Sequence, residues 1–283
     1  MDSQQRPIAN VVEPQPVVEG AGVRLRRSIG TRALDYLDPF LLLDHFADNA
    51  AEDYEAGFPL HPHRGIETVT YMLRGFVDHR DSIGNSGTIG PGDVQWMTAG
   101  GGIMHEEMPQ VRPEGIDGFQ LWVNLPARLK MTPPRYQGIT SSEIPEVEIE
   151  GGVTIRVITG TAGGVKGPVS GIAADPTYLD VSVPAGSSFT HQISRGHTAF
   201  AYVFEGEAAF TDGAPTVAHT RLVVWGDGDH VRIATGESPV RFLLVSGKPL
   251  SEPIARYGPF VMNTREEIEQ ALRDLRQGTF VKA

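Results

Sequence analysis

Apolar and polar residues alternate along several stretches of the chain with the period of two that a β-strand imposes. Val69, Tyr71 and Leu73 fall on one side of such a strand, and Thr68, Thr70 and Met72 on the other. Leu121, Val123 and Leu125 alternate in the same way with Gln120, Trp122 and Asn124. These patterns predict half-buried or barrel-lining strands. The 33 Gly and 21 Pro are scattered rather than clustered, which cuts the 283 residues into short strands separated by turns. The predicted class is all-β, in one large or two medium domains. The period changes once, near the carboxyl end. There Thr264-Arg-Glu-Glu267 fits a capping box, and Ile268, Ala271, Leu272 and Leu275 recur at helical spacing, with Gly278 to end the helix. That helix is expected to pack on the preceding barrel and to carry no chemistry.

Met131 to Glu150 has no strong apolar period and contains Pro133, Pro134 and Pro145, so it is read as the crossing between domains. The pattern then restarts. Tyr71-Met-Leu-Arg-Gly75 is echoed by Tyr202-Val-Phe-Glu-Gly206, and Gly90-Pro-Gly-Asp93 more loosely by Trp225-Gly-Asp-Gly228. The echoes point to an internal duplication, with expected domains at 1–138 and 145–283.

Composition narrows the functions. With 24 Lys+Arg against 35 Asp+Glu the net charge is 24 − 35 = −11, which argues against direct nucleic-acid binding. The hydrophobic share of 40% is enough for a sizeable core. Zero cysteines exclude disulfides, thiolate metal sites and cysteine nucleophiles, so any metal must be held by His, Asp or Glu. Val181 to Ser194, the longest stretch without a charged residue, is too short and too polar to cross a bilayer. Met1 to Asn10 has no apolar signal-peptide core. The expectation is a cytoplasmic protein with no membrane partner.

The histidines sharpen the picture. His61 and His63 are two apart and point the same way in an extended chain; counted on through Gly65, Glu67 has the same parity, as do Val69, Tyr71 and Leu73. About forty residues on, Ile103, His105 and Glu107 share one face of a second extended stretch. Three imidazoles and a carboxylate make a nitrogen and oxygen donor set suited to Fe(II), Mn, Ni, Cu(II) or Zn. Parity leaves Glu67 and Glu107 both open as the carboxylate. His45, His79, His191, His197, His219 and His230 lack this pattern and are expected in core or surface roles.

The runs Phe58-Pro-Leu-His-Pro-His-Arg-Gly-Ile-Glu-Thr-Val-Thr-Tyr71, Gly90-Pro-Gly-Asp-Val-Gln-Trp-Met-Thr-Ala-Gly100 and Gly102-Ile-Met-His-Glu-Glu-Met-Pro109 closely resemble the pirin family. The ending Glu252-Pro-Ile-Ala-Arg-Tyr-Gly-Pro-Phe-Val-Met-Asn-Thr-Arg-Glu-Glu267 does so too. The resemblance implies a bicupin, two antiparallel β-barrels in one chain, with one divalent metal, Fe(II) foremost. It implies His61, His63, His105 and Glu107 as ligands, with Glu67 left as a carboxylate near the substrate. Aligning Gly206 on Gly75 puts Gln192 and Ser194 where His61 and His63 would be, so the second barrel is expected to hold no metal. Bacterial pirin-like proteins are associated with quercetin 2,3-dioxygenase activity. The implied reaction joins dioxygen to a flavonol, with Glu107 or Glu67 taking the 3-hydroxyl proton and carbon monoxide released. Val69, Tyr71, Leu73, Ile103 and Met97 or Trp96 are the expected cavity walls. The family also allows a non-catalytic metal-binding regulator of a protein partner. A two-barrel chain is expected to be a monomer.

Overall fold

The alternating stretches form antiparallel strands, and a computed structural model describing residues 3–281 divides into two units. One unit takes the chain up to Pro14, then Arg32–Leu37 and Ser142–Pro249; the other takes Gln15–Thr31, Asp38–Ser141 and the chain from Leu250 onward. The units are therefore not the consecutive stretches 1–138 and 145–283. Edge pairing gives the reason. The strand Ile8–Val12 adds antiparallel to Arg221–Trp225, covering backbone groups that an open edge would leave unpaired. At the other end of the chain the helix Arg265–Gln277 packs on Phe260–Met262, and Phe260, Met262, Ile268, Ala271 and Phe280 form one buried cluster. Neither exchange leaves a periodic signal.

Each unit is built on a main sheet with the same strand order, apart from the edge strand named first in each, which comes last in the chain order of one unit and first in that of the other. In the unit that contains the histidine motifs, the order is Arg135–Ile139, Val94–Thr98, Ile66–Arg74, Ile116–Asn124, Phe40–Asp48, Val23–Ile29 and Gln15–Glu19. In the other it is Ile8–Val12, Arg221–Trp225, Thr198–Ala209, Val240–Gly247, Thr177–Val183, Val153–Thr159 and Glu146–Ile149. A smaller set of strands completes each barrel. The first unit uses Phe58–His63, Ile103–Pro109, Val77–Asp81 and Ser86–Ile89; the second pairs Ser188–Gln192 with His230–Ala234. The internal duplication read from the echoes is thus a repeat of topology. Gly75 and Gly206 mark corresponding bends: both have positive φ, and a side chain at either would press on a backbone carbonyl, of Gly115 or Pro239.

The two interiors differ. The second unit is filled by a single apolar cluster that includes Phe189, Phe210, Phe242, Trp225, Leu179 and Leu244. The first, besides the Phe260 cluster under its helix, has one cluster around Val23, Leu25, Phe46 and Met72 and another around Ile66, Met97 and Ile103. The carboxyl-terminal helix forms as its sequence requires. Thr264 and Glu267 close a reciprocal capping box, and Gly278 ends the helix at φ 71°.

Candidate metal centre

Two paired strands bring the histidines together. Phe58–His63 runs antiparallel to Ile103–Pro109, with His61 opposite His105 and His63 opposite Ile103. The ring centroids of His61, His63 and His105 lie 4.4 to 5.0 Å apart. One nitrogen from each ring can be chosen so that all three lie within 4.8 Å of one another. Among the described residues this is the group whose donor atoms could hold a metal ion.

The surroundings leave these rings suited to act as lone-pair donors. His61 Nδ1 donates to the Pro59 carbonyl at 2.9 Å, which in a neutral ring leaves Nε2 as the lone-pair nitrogen; Nε2 faces His63 Nε2 at 3.0 Å. Both ring nitrogens of the buried His105 lack a hydrogen-bond partner. Orphaned buried polar atoms are costly unless something else satisfies them. Burial, then the neighbouring imidazoles, pushes His63 and His105 well below the ordinary histidine range, so both stay neutral at pH 7. The donor set fits a divalent cation on both counts.

Glu107 lies on the same cavity wall as His61 and His63. It is buried, and its Oε1 accepts from Thr70 Oγ1 at 2.9 Å. Burial raises its affinity for a proton, while His61 and the Thr70 bond act in the opposite direction. Glu67 is elsewhere. Gly65 adopts φ 80° between the two strands, and this left-handed residue resets the alternation. Beyond it the cavity face carries the even positions: Thr68 is opposite Trp122, whose ring meets that of His63 edge-on at 5.1 Å. Glu67 points to the other face, where its carboxylate accepts from Thr98 Oγ1 at 2.7 Å. Counting parity through Gly65 therefore misplaces Glu67, and with it Val69, Tyr71 and Leu73.

The cavity beside the histidines has a volume of about 460 Å³, within the roughly 300–1,000 Å³ common for small-molecule sites. Its walls are Val23, Leu25, Leu42, Phe46, Tyr54, Phe58 and Trp122, not the odd positions of the Ile66–Arg74 strand or Trp96 and Met97. Polar groups break the apolar lining along one side: Thr70, Gln120, Asp44, Arg27 and Glu19. Arg27 holds Asp44 through two bonds of 2.7 Å and Glu19 through a third of 2.7 Å. Burial pushes the Asp44 carboxyl up to about 6 against the pull of Arg27. Sequence reasoning missed these residues. The available signal was polar side chains in mid-strand on the less apolar face.

The other barrel corrects a second alignment. Phe189, His191 and Ile193 are the shielded positions of its strand, while Thr190, Gln192 and Ser194 are exposed. His191 pairs with Val231, as His61 pairs with His105. The counterparts of His61, His63 and His105 are therefore His191, Ile193 and Val231, one residue away from the Gln192 and Ser194 that the glycine alignment indicates.

A family model described as Pirin matches residues 22–123, and one described as Pirin C-terminal cupin domain matches residues 178–281. A pirin-like protein of Caulobacter vibrioides is 48% identical over 276 residues, covering 97% of this chain and 99% of the relative. Pirin of Homo sapiens is 45% identical over 264 residues, covering 91% and 88%. A crystal structure of quercetin 2,3-dioxygenase from Acinetobacter baumannii superposes with a TM-score of 0.88 at 35% identity, covering 98% of this chain and 99% of that one.

Proposed function

The chain belongs to the pirin family, and from that premise we propose that it is a metal-dependent dioxygenase that cleaves flavonols such as quercetin with release of carbon monoxide. The observation that carries the reading is the cavity. His61, His63 and the buried Glu107 line a chamber of about 460 Å³, with His105 grouped with the two histidines, and the chamber is large enough to enclose a planar aromatic ligand. The similarity to the Acinetobacter baumannii quercetin 2,3-dioxygenase supports the choice of reaction.

In this reading His61, His63, His105 and Glu107 would hold the cation, with Fe(II) as the first candidate. When bound, a cation of this kind supplies a Lewis acid and a redox partner for dioxygen chemistry. The chain's own groups do the rest. Pro59 fixes the tautomer of His61 through its carbonyl. Burial keeps His63 and His105 neutral, so no proton must leave them before they donate. Glu107 is the proton acceptor for the flavonol 3-hydroxyl, a buried carboxylate that Thr70 Oγ1 holds in place. Trp122 and Phe58 flank the histidines and exclude water from the reacting face.

The test is metal content of the purified protein and of protein reconstituted anaerobically with Fe(II), followed by quercetin loss and carbon monoxide release in air. Stoichiometric metal and turnover, both abolished in His61→Ala, are expected. Bound metal without turnover on several flavonols and several metals would replace the reading with a metal-dependent binding role. Absence of metal binding would overturn the ligand assignment.

A further inference from the structure

Register fixes which inward residues stand side by side across the sheet of the histidine-bearing barrel. Thr70 is opposite Gln120, Gln120 opposite Asp44, and Asp44 opposite Arg27, one unbroken row across four strands. In the other barrel the corresponding row is Ala201, Leu244, Leu179 and Val157. The two rows correspond because the strands stand in the same order, and Thr70 and Ala201 each precede the matching glycine, Gly75 or Gly206, by five residues. Closing this sheet therefore does not require polar side chains here. The fold builds the same row from alanine, leucine and valine.

A buried ion pair is a poor source of stability compared with apolar residues of similar volume. The polar row thus needs another reason, and its contents indicate one. Glu107, Asp44 and Glu19 bring three carboxylates to the cavity wall, against two guanidiniums, Arg27 and, from outside the row, Arg256, with the Gln120 amide and the Thr70 hydroxyl between them. The Thr70 Oγ1 proton is shared between Glu107 Oε1 at 2.9 Å and Gln120 Oε1 at 2.8 Å, and it can satisfy only one at a time. Each Asp44 oxygen takes one bond from Arg27 and retains accepting capacity. Glu19, 42% exposed, stands at the open end. Carboxylates thus outnumber guanidiniums on this wall, and the Asp44 and Glu107 oxygens keep lone pairs for further donors.

We propose that the row from Thr70 to Arg27, with Glu19, is a recognition strip for hydroxyl donors, selecting a neutral polyhydroxylated aromatic ligand over its dehydroxylated or carboxylated analogues. The inference rests on the flavonol reading for its ligand class. Hydroxyls of the ligand donate to these carboxylates, while its ring lies on the apolar walls. A ligand carboxylate has no proton to donate to them.

The experiment compares quercetin with galangin, which differ only in two hydroxyls of the pendant ring, by equilibrium binding to metal-loaded protein under anaerobic conditions. Quercetin is expected to bind roughly 10- to 100-fold more tightly, the range for hydrogen bonds to charged groups. The double variant Arg27→Val, Asp44→Leu installs the residues that the other barrel uses and orphans no buried charge. With metal content and melting temperature retained, its preference should fall to about threefold or less. Should that variant fail to fold, Gln120→Leu decides the question, with an expected loss of preference of about three- to tenfold. An undiminished preference in the folded variant overturns the proposal, as does equal binding of both flavonols by the wild type alongside normal turnover. A hydroxyl preference without turnover leaves the strip standing and removes the dioxygenase reading. Failure of both flavonols to bind overturns both.

Discussion

Two barrels with the same strand order have been put to opposite uses. One is packed solid: Phe210 meets Phe242 edge-on at 5.4 Å, Trp225 Nε1 donates to the Phe210 carbonyl at 2.9 Å, and Phe189 lies tilted against Phe242 at 6.2 Å. The other keeps a cavity, a polar row and three facing imidazoles. At the positions of His61, His63 and His105 the packed barrel has His191, Ile193 and Val231. The difference shows that a barrel of this topology tolerates either content, so folding alone does not require the polarity inside the first one. A residual histidine does not restore the chemistry. Burial pushes His191 down to about 4, leaving a neutral ring that belongs to no cluster of metal-capable donors among the described residues.

The largest expected effect breaks the comparison at the histidines. His105→Ala should lower bound metal from about one equivalent to less than a tenth, with loss of turnover, because it removes one of three donors that share a single centre. His191→Ala should leave metal content unchanged. Metal analysis of the two variants checks both statements. Equal metal loss in each would show that the centre is not where the three rings converge.

The next effect concerns stability and runs the other way. Phe242→Ala in the packed barrel should cost about 3–5 kcal/mol, as truncation of a fully buried aromatic leaves a cavity that its neighbours cannot fill. Phe58→Ala, on the wall of the existing cavity and only partly buried, should cost roughly 1–2 kcal/mol. Urea unfolding monitored by tryptophan fluorescence measures both. Similar costs would mean that the two interiors are equally well packed.

Much of this contrast could be read from the chain. Alternation located the Ile66–Arg74 and Ile116–Asn124 strands, the capping box located the helix, and the spacing of His61, His63 and His105 placed three imidazoles on facing strands. The inward face was not legible. Val69, Tyr71, Phe119, Leu121 and Val123 are buried on the opposite face, so the more apolar side of each strand is not the cavity side. Gly65 hid the position of Glu67, because a single left-handed residue shifts parity and no pattern of apolar residues records it. The polar row joins Arg27, Asp44, Thr70 and Gln120, brought together by strand pairing that local sequence does not encode. The exchange of terminal segments is hidden for the same reason.

A pH titration of stability sharpens the difference between the polar and apolar rows. Burial raises the Asp44 carboxyl from 3.8 to about 6, so the folded state holds this proton more tightly than the unfolded chain. The contribution is fully present below pH 4 and is lost as pH rises through 6. Its size is on the order of 2–3 kcal/mol, since each tenfold gain in proton affinity on folding is worth about 1.4 kcal/mol. Comparing urea midpoints at pH 4, 5, 6 and 7 for the wild type and for Arg27→Val, Asp44→Leu isolates it. The variant should lack this downward component. Identical profiles would show that Asp44 is ionised in the folded protein as readily as in the unfolded one.

The smallest effect comes from the helix, an element of the histidine-bearing unit alone among the described residues. Thr264→Ala removes the side-chain oxygen that accepts from the Glu267 amide at 3.2 Å and should cost about 1 kcal/mol. Its reach toward the candidate centre is short. The helix supplies Asp274, which accepts from Arg64 Nη1 at 2.7 Å, and Arg64 directly follows His63. Arg64 also donates to the Phe280 carbonyl at 3.0 Å and lies over the Phe280 ring, so the helix end fixes the turn from more than one side. Fraying of the first helical turn leaves Asp274, in the last turns, in place. Thr264→Ala should therefore lower the melting temperature slightly while metal content stays at the wild-type level, and Asp274→Asn, which weakens the bond to Arg64, should reduce metal affinity. Metal titration of the two variants separates a helix that only stabilises its barrel from one that also positions His63: equal affinities would confine the helix to stability.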